Sequence, residues 1–241
     1  YIHTIEQTIL FLQNQDPTLA HSICSLEFLP QGKRFESQLE KAEYAFGGLD
    51  IQDKARFIAT LYLEDLGDLI RETIAPEFEF SRYAEKLGLS ATSFDPLHEH
   101  LQQENGLLDD FLLELLDHHI QKSQVQLIGF SVPFPGNLYG AFKCAQYVKA
   151  NYPNIYITMG GGYPNTELRE LKDTRVFEYV DFITLDDGEG PIVKLLEFVE
   201  GKRNHKGLQR TFCLLNDEVT FLDSSIDNFI PHSEIGTPNY E

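Results

Sequence analysis

Tryptophan is absent from these 241 residues, methionine occurs once and cysteine three times. Basic residues are scarce too: 19 Lys and Arg stand against 38 Asp and Glu, a formal charge of −19. Each shortage excludes something. Cys24, Cys144 and Cys213 are far apart, odd in number and without C-x-x-C spacing, so the chain offers no zinc or iron–sulfur ligand pattern. Buried free thiols of a reducing cytoplasm are expected instead. The acid excess repels phosphate backbones and argues against a nucleic-acid partner. No apolar run approaches the roughly 20 residues that span a bilayer. Tyr1 leads directly into YIHTIEQTILFLQ, without the basic start or small-residue cleavage site of a secretory signal, and a processed or trimmed chain is expected.

What is present is globular: 42% apolar and 12% aromatic, with length for one large domain or two small ones. Residues 1–122 read as a mainly helical segment. Asp16-Pro17 is an N-cap with Pro at the first helical position. FESQLEKAEYAFGG stops at Gly47-Gly48. Ile58, Leu61, Tyr62, Leu66, Leu69 and Ile70 keep helical spacing, as do Leu108, Phe111, Leu112, Leu115 and Leu116. SICSLEFL fits strand or helix equally.

From Gln124 the period changes. VQLIGFSV, NIYITM and VDFITL are apolar runs of strand length, alternating with the helical stretches LYGAFKCAQYVKA, TELRELKD and PIVKLLEFVEGK. That alternation predicts an α/β fold over residues 123–223, a mostly parallel sheet with helices on both faces. TFCLLNDEVTFL reads as a hairpin turning at Asn216-Asp217. Residues 224–241, with Pro231, Gly236 and Pro238, read as a linker.

Ligands of open α/β sheets sit beyond the carboxyl ends of the strands. Three loops fall there: SVPFPGN at 131–137, GGGYPN at 160–165 and DDGEGP at 186–191. Gly160, Gly161 and Gly162 in a row suit a ligand lying against bare backbone. A tight turn with close packing is the structural alternative, but one glycine suffices for that, which favours the ligand. Gly160-x-Gly162-x-x-Asn165 with Asp186 downstream also approximates a dinucleotide fingerprint, though Asn165 replaces the third glycine and Pro164 enters the turn. The carboxylates of LDDGEGP suit either Mg²⁺ with a phosphorylated ligand or favourable charge at a helix start, and the helix start is preferred. His118 and His119 are adjacent and point to different helix faces; His119 is expected in the core. Ser131 has no hydrolase-like motif around it. No catalytic residue is found.

Together, IGFSVPFPGNLYGAFKCAQYVK, ITMGGGYPNTELREL and VDFITLDDGEGPIVKLLE resemble the cobalamin-binding domain that precedes the catalytic domain of radical-SAM enzymes. The nearest resemblance is to proteins of the magnesium-protoporphyrin monomethyl ester oxidative cyclase-like family. It covers residues 125–200 and extends loosely upstream through FSRYAEKLGLSATSFD and ATLYLEDLGDLI. The resemblance implies a Rossmann-like sheet with cobalamin across its carboxyl edge and the nucleotide tail between the loops. The cofactor-binding residues it implies are Ser131, Pro133, Gly136, Asn137, Gly160, Gly161, Gly162, Tyr163, Gly188 and Glu189. It further implies a radical-SAM domain following residues 224–241, bearing the 4Fe-4S cluster and S-adenosylmethionine, for methyl transfer or related radical chemistry. D-x-H-x-x-G, whose His ligates cobalt in methionine-synthase-like domains, is absent, as is C-x-x-x-C-x-x-C. Two other readings stand beside it: a nucleotide- or flavin-binding domain of an oxidoreductase, and a scaffold that binds no cofactor.

Overall fold

A computed structural model describes residues 1–35, 38, 51–76, 78–80, 93–224, 230, 232–234 and 236. The chain divides into two compact units, Tyr1–Phe80 and Ser81–Glu241.

The described part of the first unit is helical: α1 (Ile2–Leu12), α2 (Ala20–Cys24) and α3 (Ile51–Thr73). Asp16 caps a short 3-10 turn rather than a long helix, accepting from the Thr18 N–H at 3.1 Å. SICSLEFL resolves into the end of α2 and an irregular turn with Leu26 at φ 63°. The core gathers Phe11, Ile23, Phe35, Ile58, Leu61 and Tyr62. Leu69, expected on that apolar face, is exposed. Buried Asp65 instead turns inward, where its carboxylate accepts from the backbone N–H groups of Gly32 and Arg34. The expected stop at Gly47-Gly48 lies outside the described residues.

The second unit is α/β. After α4 (Asp95–Leu101) and α5 (Leu107–Gln121) come β1 (Leu127–Ser131), α6 (Leu138–Asn151), β2 (Tyr156–Gly160), α7 (Gly162–Glu167), β3 (Phe182–Thr184), α8 (Glu189–Val199), β4 (Thr211–Leu215) and β5 (Glu218–Leu222). The five strands form one mixed sheet in the order β1-β2-β3-β4-β5. Pairs β1–β2 and β2–β3 are parallel, while β3–β4 and β4–β5 are antiparallel. The expectation of a mostly parallel sheet is thus met in its first three strands. The remaining pairs follow from the hairpin, whose Asn216 and Asp217 take φ of 53° and 63° as a tight two-residue turn requires.

Helices cover both faces. Ile157, Met159, Ile183 and Phe212 pack under Leu97 and Leu101 of α4, Ile120 of α5 and Phe142 and Val148 of α6. Phe182 and Cys213, on the opposite face, meet Leu195 of α8 and Leu208. Each fully buried side chain of this kind stabilises the fold by about 1.5–3 kcal/mol. The residues assigned to a helical segment ending at 122 therefore include α4 and α5, which share the core of the sheet.

The buried stripe of α5 differs from expectation. Asp109, Leu113 and Ile120 point inward, whereas Phe111, Leu115 and His119 are exposed. The reason is a buried acid: Asp109 accepts from the Tyr139 hydroxyl at 3.0 Å and from the Gly106 N–H at 3.0 Å, which fixes the helix's rotation. No described helix is long and apolar enough to cross a membrane. Cys144 and Cys213 are buried free thiols, both pushed up to about 11 by burial, and Cys24 is half-buried and free.

Candidate site at the strand ends

Three loops leave the carboxyl ends of the parallel strands and are bonded to one another. Val132, wholly buried, donates its N–H to the Gly160 carbonyl at 2.7 Å and accepts the Tyr163 N–H at 2.9 Å. The Asn165 side chain accepts the Asp186 N–H and donates to the Asp186 carbonyl at 3.4 Å, joining the second loop to the third.

The glycine run now has a physical account, and it is the structural one. A Cβ on Gly160 would stand 2.6 Å from Thr184 Oγ1; on Gly161, 2.9 Å from the backbone of Val132; on Gly162, 2.6 Å from the Pro133 carbonyl oxygen. Three glycines are needed because three different neighbours press on the loop. That corrects the argument that one would suffice. Gly161 also holds φ 107° and ψ −168°, a region essentially reserved for glycine. The helix after the loop begins at Gly162, four residues before the expected start, with buried Pro164 in its first turn.

The structure places the expected cofactor-binding residues unevenly. Ser131, Pro133, Asn137, Gly162 and Gly188 are exposed, and nothing lies within 4 Å of where a Gly188 Cβ would be. Gly160, Gly161, Tyr163 and Glu189 are half-buried, and burial together with the Glu167 charge raises the Tyr163 phenol. Gly136 is buried and offers no surface. Phe134 is two-thirds exposed, at 66%, beside Pro133.

Sequence reading missed a strip on the sheet itself. Register pairs Gly129 with Thr158 and Ser131 with Gly160, and Gly160 lies against Thr184 on the same face. Gly129 and Ser131 are exposed, while the Thr158 hydroxyl is buried without a hydrogen-bond partner. The signal was there as period-2 alternation within LIGFS, YITMG and FIT, where every second residue toward the strand end is small. Reading these strands as continuous apolar runs hid it.

Also missed was the fate of Asp186. It does not serve the start of α8. Arg169, just past α7, and Arg210, just before β4, both donate to its carboxylate. Both oxygens are therefore engaged, which argues against a ribose-binding acid and against a Mg²⁺ ligand. Among the described residues no group of three or more His, Cys, Asp and Glu is gathered as for a metal ion. His98 bonds Tyr179, His100 packs on Tyr139 and His205 on Phe198, and none of the three belongs to the loops.

Comparison with known families, characterised proteins and solved structures finds no match to this chain.

Proposed function

We propose that the chain is the cofactor-binding part of a cobalamin-dependent radical-SAM enzyme. In this reading its α/β unit is Rossmann-like and carries the nucleotide tail of the corrin along the strip of β1 and β2. The observation that carries it is that strip: Gly129, Ser131, Thr158, Gly160 and Thr184 bare one sheet face at the strand ends, with Gly129 and Ser131 exposed. A flat base needs such a surface, and a buried hydroxyl lacking a partner suits a ligand's polar atom. Thus the residues fit the group, on the sheet face more than on the glycine loop.

Ser131 and Asn137 would hold the tail by hydrogen bonds, and Gly129, Gly162 and Gly188 would admit it. When bound, cobalamin supplies a cobalt centre able to accept and pass on a methyl group. This chain orients the cofactor and shields one face of it from water. The iron–sulfur cluster and S-adenosylmethionine would belong to a separate catalytic domain. Burial of Cys144 and Cys213 as free thiols agrees with a reducing, cytoplasmic setting. The strand order has no reversal, so the reading rests on the strip and not on a switch-point crevice.

Titration with hydroxocobalamin, followed by visible absorption and equilibrium dialysis, tests it. Retention is expected for the wild type and loss for Gly129→Phe, which fills the strip. Gly129→Ala meets only Thr158 Cγ2, at an ordinary 3.6 Å, and should leave the fold intact. No retention of corrin at about 1 mM ligand, a weak-binding limit, would remove the reading. Binding of pyridine nucleotide or flavin instead would favour an oxidoreductase domain, and binding of none a scaffold.

A further inference from the structure

The acidic chain gathers two guanidinium groups at the strand ends, a local exception to its charge of −19. Both converge on the Asp186 carboxylate. Each has a second anchor. Arg169 Nε donates to the Asn165 carbonyl at 2.6 Å. Arg210 reaches Asp223 at 3.3 Å and lies over the Phe221 ring at 5.6 Å from its centroid. Neither arginine is therefore held by Asp186 alone.

Asp186 is held differently. It sits at φ 61°, in the left-handed region that a non-glycine residue adopts at a cost. Arg210, its partner, is similarly placed at φ 47°. The chain beyond Asp186 runs into exposed Asp187 and Gly188, with open space around Gly188. The Asp186 backbone is tied to Asn165 through both its N–H and its carbonyl, so what a ligand would displace is the part-exposed side-chain carboxylate alone.

We propose that Arg169 and Arg210 form a binding point for a phosphate group, which Asp186 occupies as an internal anion until a ligand displaces it. Two guanidiniums from different elements, aimed at one point, match a phosphate better than a carboxylate, because phosphate presents three acceptor oxygens and up to two charges. The site lies beside the Gly160–Asn165 loop, where a phosphate ester entering along the strand ends would meet it. Its negative surroundings keep affinity low while Asp186 is in place, so the carboxylate selects for ligands with other contacts nearby. The inference does not depend on the corrin reading: it concerns anion binding, and a failed cobalamin titration leaves it standing.

The test is titration of the whole chain with inorganic phosphate at low salt, by calorimetry and by amide chemical shifts. Wild type is expected to bind weakly, with shifts at Asp186, Asp187 and Gly188. Asp186→Ala should bind about tenfold tighter, since the competing anion is gone. Arg169→Gln or Arg210→Gln in that background should return affinity to the wild-type level or below. Asp186→Asn, which keeps the side chain's size, gives the same direction if the alanine variant unfolds. Folding of every variant is checked by circular dichroism. A folded Asp186 variant no tighter than wild type overturns the proposal, as does tight binding that persists without both arginines. Adenosine monophosphate in parallel separates the sources: equal affinity points to free phosphate, and tighter binding of the ester to a nucleotide-borne group.

Discussion

Gly161 and Gly188 make opposite demands on a substituted side chain. Gly161→Val must force a branched side chain into φ 107° and against Val132 backbone atoms at 2.9 Å, which cannot swing aside. The backbone conformation alone costs about 1–3 kcal/mol, and the clash adds to it. Denaturant unfolding should therefore show a lower midpoint for Gly161→Val and almost none of that loss for Gly188→Ala. Equal effects would mean that the loop does not pack on Val132 as described. At the same edge, the absence of histidine from the three loops makes a second expectation. If the proposed cobalamin reading holds, bound cob(II)alamin would show no nitrogen triplet from a protein imidazole in electron paramagnetic resonance. Triplets that disappear on replacing a single His by Ala would place an imidazole on cobalt and reverse the expectation.

Helices α5 and α6 are tied by one carboxylate. Asp117 Oδ1 accepts from the Tyr152 hydroxyl at 2.6 Å and from Tyr147 at 2.8 Å. These two hydrogen bonds hold Asp117 below the ordinary carboxylate value of 3.8, and the same contact pushes the Tyr147 phenol up to about 12. A depressed acid contributes stability that is present above its unfolded pKa and is lost as pH falls through the folded one. The gap in stability between wild type and Asp117→Asn should therefore be constant near neutral pH and close as pH drops below about 4. Tyr147, raised, works at the other end: its share is full below 10.0 and fades as pH climbs toward about 12. A gap that stays constant down to pH about 2 would show that the carboxylate's charge contributes nothing to the junction. On α6 itself, Lys149 bonds Asp181 at 2.6 Å, and Asp181 accepts the Ile157 N–H at 2.8 Å, so the start of β2 is held by the same helix.

The molecule as a whole carries −19 over 241 residues. Self-repulsion of this size destabilises the compact state, and salt with a Debye length near 10 Å at about 0.1 M screens it. Most ion pairs seen among the described residues are at least partly exposed, such as Lys33–Glu72 with side chains 89% and 67% accessible, and contribute little that salt can remove. Melting temperature should thus rise between low salt and about 0.2 M sodium chloride. A fall would mean that the networks around Arg34 and Asp186 outweigh the repulsion.

The order of helices and strands from Gln124 onward was legible in the residues, because strand and helix periods come from backbone geometry and show up locally. The hairpin at Asn216-Asp217 and the helix beginning at Leu138 are where turn chemistry and apolar spacing place them. Function was less legible for the same reason that packing was. LIGFS says that Gly129 and Ser131 alternate with larger residues, but only pairing with β2 shows that Thr158 and Gly160 extend the small face. GGG states that side chains are missing; which atoms fill the space depends on Val132, Pro133 and Thr184, up to 29 or so positions away. Asp186 reads as one acid in DDGEGP until the fold brings Arg169 and Arg210 to it from 17 and 24 residues off. On α5 the apolar pattern alone points Phe111 and Leu115 inward, and a buried pair, Asp109 with Tyr139, turns the helix the other way. Periodicity is a property of neighbours along the chain, whereas a side chain's partner is set by distance in space, and that distance exists only once the strands have taken their register.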